Sequence, residues 1–217
     1  MGIISDIYSA VELGHFQWPF RNSHPVHPAT VHHPLAFLST AYTLDTLFGL
    51  TSYYSSVRAF ATIAPFLPQI SQLAFLSHAL GVVTAIPSMT SGTAEWYEIY
   101  RSDGLNRRDK KLTNPGKSGD AIVDSSVGIG AVHGMLNAVA FAVSGYAVWS
   151  RMGRRSAFTP GRAGIWLSAL TLPGVAVSAA LGGELVYGKG IGVRRMGAAK
   201  DEKVKGIGEI EAAKRTQ

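Results

Sequence analysis

Four apolar stretches, Pro34–Leu50, Leu73–Met89, Val127–Trp149 and Ala163–Tyr187, constrain this chain more than any other feature. Each approaches the ~17–25 residues that carry a helix across a hydrocarbon core. None is uniformly apolar. His32 and His33 flank the first and Asp45 lies inside it, His78 is in the second, His133 and Asn137 are in the third, and Glu184 closes the fourth. Ionisable groups at that depth are costly and face the bundle interior, where they mark a functional site. The pattern predicts an all-α fold: a four-transmembrane-helix bundle with up-down topology.

Composition agrees with that class. Only 16% of the 217 residues are charged, against about a quarter in a typical soluble domain. The absence of cysteine excludes disulfides, zinc–thiolate sites, iron–sulfur clusters and covalent c-type haem. The net charge of +6 is segregated, with Lys189, Arg194, Arg195, Lys200, Lys203, Lys205, Lys214 and Arg215 in the tail. Basic residues just outside a span favour an anionic lipid surface. A nucleic-acid partner is not expected, because no basic face carries base-reading elements.

Three segments follow. Residues 1–24 read as an interfacial N-terminal segment, with Ile3, Ile4, Ile7, Tyr8, Val11 and Phe16 along one helical face. Asp6 and Glu12 argue against a cleavable signal peptide there. Residues 25–193 form the four-helix membrane domain, and residues 194–217 a flexible, basic polar tail. Helix one is expected from near Pro28 to Leu50. Pro65 and Pro68 break the connection after it, and helix two is expected to run from Gln69 to Pro87–Gly92. Thr93–Ser126 reads as a polar loop and Ser150–Arg162 as a short basic turn.

An even number of spans puts both termini on one side. That side carries Arg21, six Lys or Arg in the long loop and eight in the tail, against Arg58 and four in the short turn. The positive-inside rule then favours cytoplasmic or matrix-side termini, with the Arg-rich turn opposing. Trp18, Trp96, Trp149 and Trp166 lie near span ends and suit an interfacial aromatic belt.

Up-down threading also sorts the polar groups by depth. His32, His33, His133, Ser91, Glu95, Trp96, Glu184 and Tyr187 fall within about 10 Å of one level at ~1.5 Å per residue. Asp45 and His78 approach the opposite face at similar depth to each other, which would let them pair.

Several of these residues form extended motifs. His27-Pro28-Ala29-Thr30-Val31-His32-His33-Pro34, Ser91-Gly92-Thr93-Ala94-Glu95-Trp96, His133 with Asn137, and Gly182-Gly183-Glu184-Leu185-Val186-Tyr187 through Val193 resemble the family called domain of unknown function 2231. The resemblance runs from about Pro25 to Val193. His33 stands where the family more often has an aromatic residue, and Glu95 where Asp is common. The resemblance implies a four-helix integral membrane domain. In some relatives that domain is joined to Rieske or cytochrome-like modules, which implies redox surroundings.

Three chemistries compete for the polar interior. The first is a b-type haem, whose iron takes axial imidazoles from facing helices. His32 or His27 with His133 is the expected pair, and Asn137, Glu184 and Tyr187 complete the candidate cofactor site. The second is a His/carboxylate metal site drawing on His32, His133 and Glu95, with His27 or Glu184 as further donors. The third is proton handling, with Asp45 and His78 as a buried polar pair. Against all three stands a structural reading in which histidines bond carbonyls and one another. Hydrolysis is set aside, since Ser91-Gly92 lacks a nucleophile elbow. The expectation is a redox-associated membrane subunit, non-catalytic or electron-carrying, in contact with lipid and a redox protein partner. The alternative is a structural or assembly protein without cofactor.

Overall fold

The computed structural model describes residues 26–103, 126–153 and 158–188. The interfacial segment 1–24 with Trp18, most of the polar loop, and the basic tail lie outside the described residues. What is described is helical: α1 (Val26–Thr30), α2 (His32–Tyr53), α3 (Arg58–Ile63), a 3₁₀ turn (Ala64–Phe66), α4 (Leu67–Asp103), α5 (Ser126–Met152) and α6 (Arg162–Gly183). A π-helical turn, Glu184–Gly188, ends α6.

Prolines set several of these boundaries. Pro65 sits in the 3₁₀ turn and Pro68 in the first turn of α4, where a missing N–H costs little. Pro87 does not stop α4, contrary to the sequence expectation. The helix runs through it to Asp103, taking in the first part of the segment read as loop. Likewise Pro173 lies inside α6. An internal proline costs the carbonyl four residues before it its helical donor, a loss that packing among helices tolerates; one turn further on, Ser91 Oγ donates to the Pro87 and Ser88 carbonyls.

Four long helices pack in a ring. α2 contacts α4 and α6, and α5 contacts the same two helices, so α2 and α5 face each other diagonally. Glycines bring the ring close: Gly81 of α4 lies under Leu38, and Gly49 of α2 lies against Ile165 of α6. Consecutive helices are antiparallel. Asp45, His78, Arg151 and Ser168 meet at one end, while His27, Ser88, His133 and Ser178 meet at the other.

The bundle is polar inside and apolar outside. Buried positions include Ser71, Ser77, Ser88, Ser144, Ser168 and Ser178, whereas Leu73, Leu76, Val83, Ile86, Met135 and Leu170 are exposed. Water would reverse that distribution; lipid permits it, because small and hydroxylated residues hold helices together there. Only a small apolar cluster, Leu38, Tyr42, Ala140 and Val175, fills the middle. Among the described residues, three helices are long and apolar enough to cross a membrane, within Arg58–Tyr97, Ser126–Met152 and Arg162–Tyr187. α2 is not one of them, because its 22 residues include His32, His33, Asp45 and a run of hydroxyls. Trp149 and Trp166 are exposed near the same end, as a belt requires. Trp96 instead turns inward and donates Nε1–H to the Val127 carbonyl.

Candidate functional site

Two polar centres occupy opposite ends of the bundle. At the first, Asp45 is completely buried and receives donors from the other three long helices. Arg151 of α5 forks onto both carboxylate oxygens, with Nη1 at 3.0 Å from Oδ1 and Nη2 on Oδ2. His78 Nε2 of α4 lies 3.0 Å from Oδ2, and Ser168 Oγ of α6 donates to the same oxygen at 3.0 Å. On its other side His78 Nδ1 is 2.9 Å from Ser144 Oγ. Ser144 Oγ contacts the Tyr42 hydroxyl at 2.8 Å, and Tyr42 donates to the Ala140 carbonyl. The chain of contacts thus runs from the ion cluster back to the middle of the bundle.

The bidentate Arg–carboxylate fork is the strongest geometry for such a pair. Arg151 and His78 are as buried as their partner, so the guanidinium and the carboxylate compensate each other rather than being solvated. Arg151 does not belong to the short basic turn expected over Ser150–Arg162; it lies in the last turn of α5 and is buried. A signal was available in its phase. His133, Asn137, Ala140, Ser144, Ala147 and Arg151 recur at alternating steps of four and three, a single helical face.

The second centre is a cavity of about 440 Å³ between α1, α2, α4, α5, α6 and the π-helical turn. Its walls are mostly apolar, with His27, Glu95, His133, Asn137 and Ser178 among the polar lining residues. His27 Nδ1–H donates to the Ser88 carbonyl at 2.9 Å. His133 Nδ1–H donates to the Ser178 carbonyl at 2.8 Å, and its Nε2 accepts from Asn137 Nδ2 at 3.1 Å. Carbonyls only accept, so both imidazoles carry their proton on Nδ1. His27 Nε2 has no partner among the described residues. Burial holds the His27 pKa below the ordinary imidazole value and nearby His133 adds to this, while the Ser88 bond opposes it. The two ring centroids are 6.4 Å apart, nearly perpendicular.

Two glycines make room for these rings. A Cβ on Gly92 would stand 2.6 Å from His27 Cε1, and one on Gly182 would stand 2.9 Å from His133 Cε1. The small residues of the Ser91-Gly92-Thr93 and Gly182-Gly183 motifs therefore seat the histidines on opposite walls.

Not every candidate reaches the cavity. His27, His133, Asn137 and Glu95 line it. His32 and His33 are exposed on the outer side of α2, because five residues beyond His27 is nearly half a turn out of phase. Glu184 and Tyr187 are also exposed; Leu185 and Val186 of the same turn face the cavity instead. No group of three or more His, Cys, Asp or Glu is placed to hold a metal ion among the described residues. The His32, His133 and Glu95 set does not come together, since His32 faces away.

Comparison with known proteins agrees with the membrane architecture. The chain matches the family described as "Predicted membrane protein (DUF2231)" over residues 23–195. No curated protein and no solved structure matches it. The chain belongs to the DUF2231 family of predicted membrane proteins.

Proposed function

We propose that this DUF2231 member is a four-span integral membrane protein that holds a b-type haem between His27 and His133 and serves as a non-catalytic, electron-carrying subunit. The observation that carries the reading is the pair of imidazoles on opposite walls of one apolar cavity, each with Nδ1 anchored to a backbone carbonyl. Metal-binding histidines characteristically donate their second N–H to such a carbonyl, which fixes the ring and its tautomer. A metal–imidazole bond is about 2 Å, so two imidazoles that held one metal-centred group between them would stand several ångströms apart. The 6.4 Å separation agrees with that.

His27 and His133 would hold the group, and the lowered His27 pKa favours the neutral imidazole that ligation needs. Asn137 would release His133 Nε2 while keeping its bond to the His133 carbonyl at 2.9 Å. Bound haem supplies one-electron transfer; the surrounding apolar wall limits water around it. A redox protein at the membrane surface would be the electron partner.

α2 counts as the fourth span in this reading because Arg151 neutralises Asp45 inside the bundle. Both termini then share one side. Arg151, bound to Asp45, no longer counts among the free charges of the short turn, which favours cytoplasmic or matrix-side termini.

A structural role for both histidines is the second reading, favoured by His133 having both ring nitrogens bonded within the protein. Absorption spectra of the detergent-purified protein, expressed with added haem and recorded oxidised and dithionite-reduced, separate the two. The haem reading expects a Soret band with reduced α and β bands, lost in His27→Ala and His133→Ala and kept in His32→Ala. A featureless spectrum overturns it and leaves the structural reading.

A further inference from the structure

Among the residues lining the cavity, the exposed ones share a location. Thr93 lies on α4, and Ala131, Gly134 and Ala138 lie on α5. The cavity residues contributed by α2 and α6 are buried or half-buried. A Cβ placed on Gly134 would meet nothing within 4 Å, so nothing in the described structure covers that wall. Small side chains on α5 therefore leave a gap beside α4.

Depth decides what this gap faces. Along α5, residues 131 to 138 lie roughly 17 to 27 Å from Trp149 at ~1.5 Å per residue. Trp149 is exposed near the end of its helix, where tryptophan marks the membrane–water interface. A hydrocarbon core about 30 Å thick then covers the gap. On α4, Thr93 lies about one turn before Tyr97 and two before Tyr100, both exposed.

We infer that the cavity opens sideways into the bilayer between α4 and α5, and takes a membrane-dissolved, largely apolar ligand from the lipid phase. The inference rests on the cavity used for the haem reading and deepens it, since haem is a flat, largely apolar molecule that partitions into membranes. The wall chemistry fits that class. The ligand meets Ala131, Gly134 and Ala138 on entry and finds polar side chains, His27 and His133 among them, only farther in. A water-soluble solute would cross hydrocarbon to use this route.

The chain has no cysteine, which gives a test independent of haem. Ala179→Cys puts one thiol on the α6 wall of the cavity. In lipid nanodiscs, the full chain is exposed to a lipid-partitioning pyrene maleimide or to a charged, membrane-impermeant methanethiosulfonate. The pyrene reagent should label Ala179→Cys and the charged one should not. Adding Gly134→Leu with Ala138→Leu fills the gap and should slow pyrene labelling by about tenfold or more, a barrier change readable from rates. Met135→Leu, on the lipid-facing side of the same helix, should not slow it. Should the double leucine variant misfold, Thr93→Leu narrows the gap from α4 and carries the same expectation.

Labelling by the charged reagent at the pyrene rate, no labelling by either, or labelling indifferent to the leucines would overturn the side opening. Uptake of haemin from preloaded vesicles, followed by its Soret band, tests the other reading separately. Leucine-sensitive labelling without a Soret band keeps the opening and removes haem. A Soret band with leucine-insensitive labelling does the reverse.

Discussion

Removing Asp45 is expected to cost more than removing Arg151, and removing both less than either. The asymmetry follows from who is left behind. Asp45→Leu deletes the acceptor on which the Arg151 fork, His78 and Ser168 all converge. It strands a fully buried guanidinium. Arg151→Met leaves the carboxylate with two donors, His78 Nε2 and Ser168 Oγ, each at 3.0 Å. Breaking a buried pair from one side costs about 3–5 kcal/mol, and replacing both partners with apolar side chains is often near neutral. Asp45→Leu should therefore fall at the upper end of that range and Arg151→Met at the lower end. The double variant should sit below both, at about 1–3 kcal/mol, because His78 still loses its partner. Reversible unfolding in mixed dodecylmaltoside–SDS micelles, followed by circular dichroism, gives all three values and the coupling energy of the cycle. Additive costs, or an Asp45→Leu variant within about 0.5 kcal/mol of wild type, would refute the view that this cluster is a compensated ionic lock.

Other substitutions test the packing around both centres. Gly182→Ala sets a methyl against His133 and Gly92→Ala one against His27; each should lower stability by about 1–3 kcal/mol in the same micelle titration. Tyr42→Phe removes the hydroxyl that joins Ser144 to the Ala140 carbonyl, and a loss of about 1–3 kcal/mol is expected by that method. His32→Ala, on an exposed side chain, should stay within about 0.5 kcal/mol of wild type. Acidification should destabilise the protein as pH falls below the ordinary imidazole value of 6.5, because the unfolded chain then protonates His27 while the folded site resists. Comparing His27→Gln with wild type across that range in thermal melts should show a flatter profile for the variant.

Much of the architecture was legible in the primary structure because lipid imposes it. Long apolar runs have few ways to satisfy their backbone except as helices, so three long helices followed from Leu73–Met89, Val127–Trp149 and Ala163–Tyr187, whereas Pro34–Leu50 is helical without being apolar enough to count among the candidate spans. The end of α4 was not legible. Pro87 reads as a stop because it leaves the carbonyl four residues earlier without its helical donor, yet packing against the other helices carries α4 through it to Asp103. Motif residues showed which segments matter, but not which side chain within a segment faces inward. Val31 separates α1 from α2, and the phase across that junction selects His27 over His32.

Arg151 marks the boundary between the two kinds of information. Composition and hydropathy treat each residue alone, and by that measure Asp45 weakens α2 as a span and Arg151 belongs to a basic turn. Their partners are 106 residues apart in sequence, so only the folded bundle brings the charges together. The sequence by itself determined a helical, membrane-embedded chain with a polar interior, because helix length and apolarity are local properties. Tertiary structure alone decided that Arg151 is buried on Asp45, that His27 rather than His32 faces His133, and that the cavity lies open beside α5. Each of those depends on what another helix places opposite.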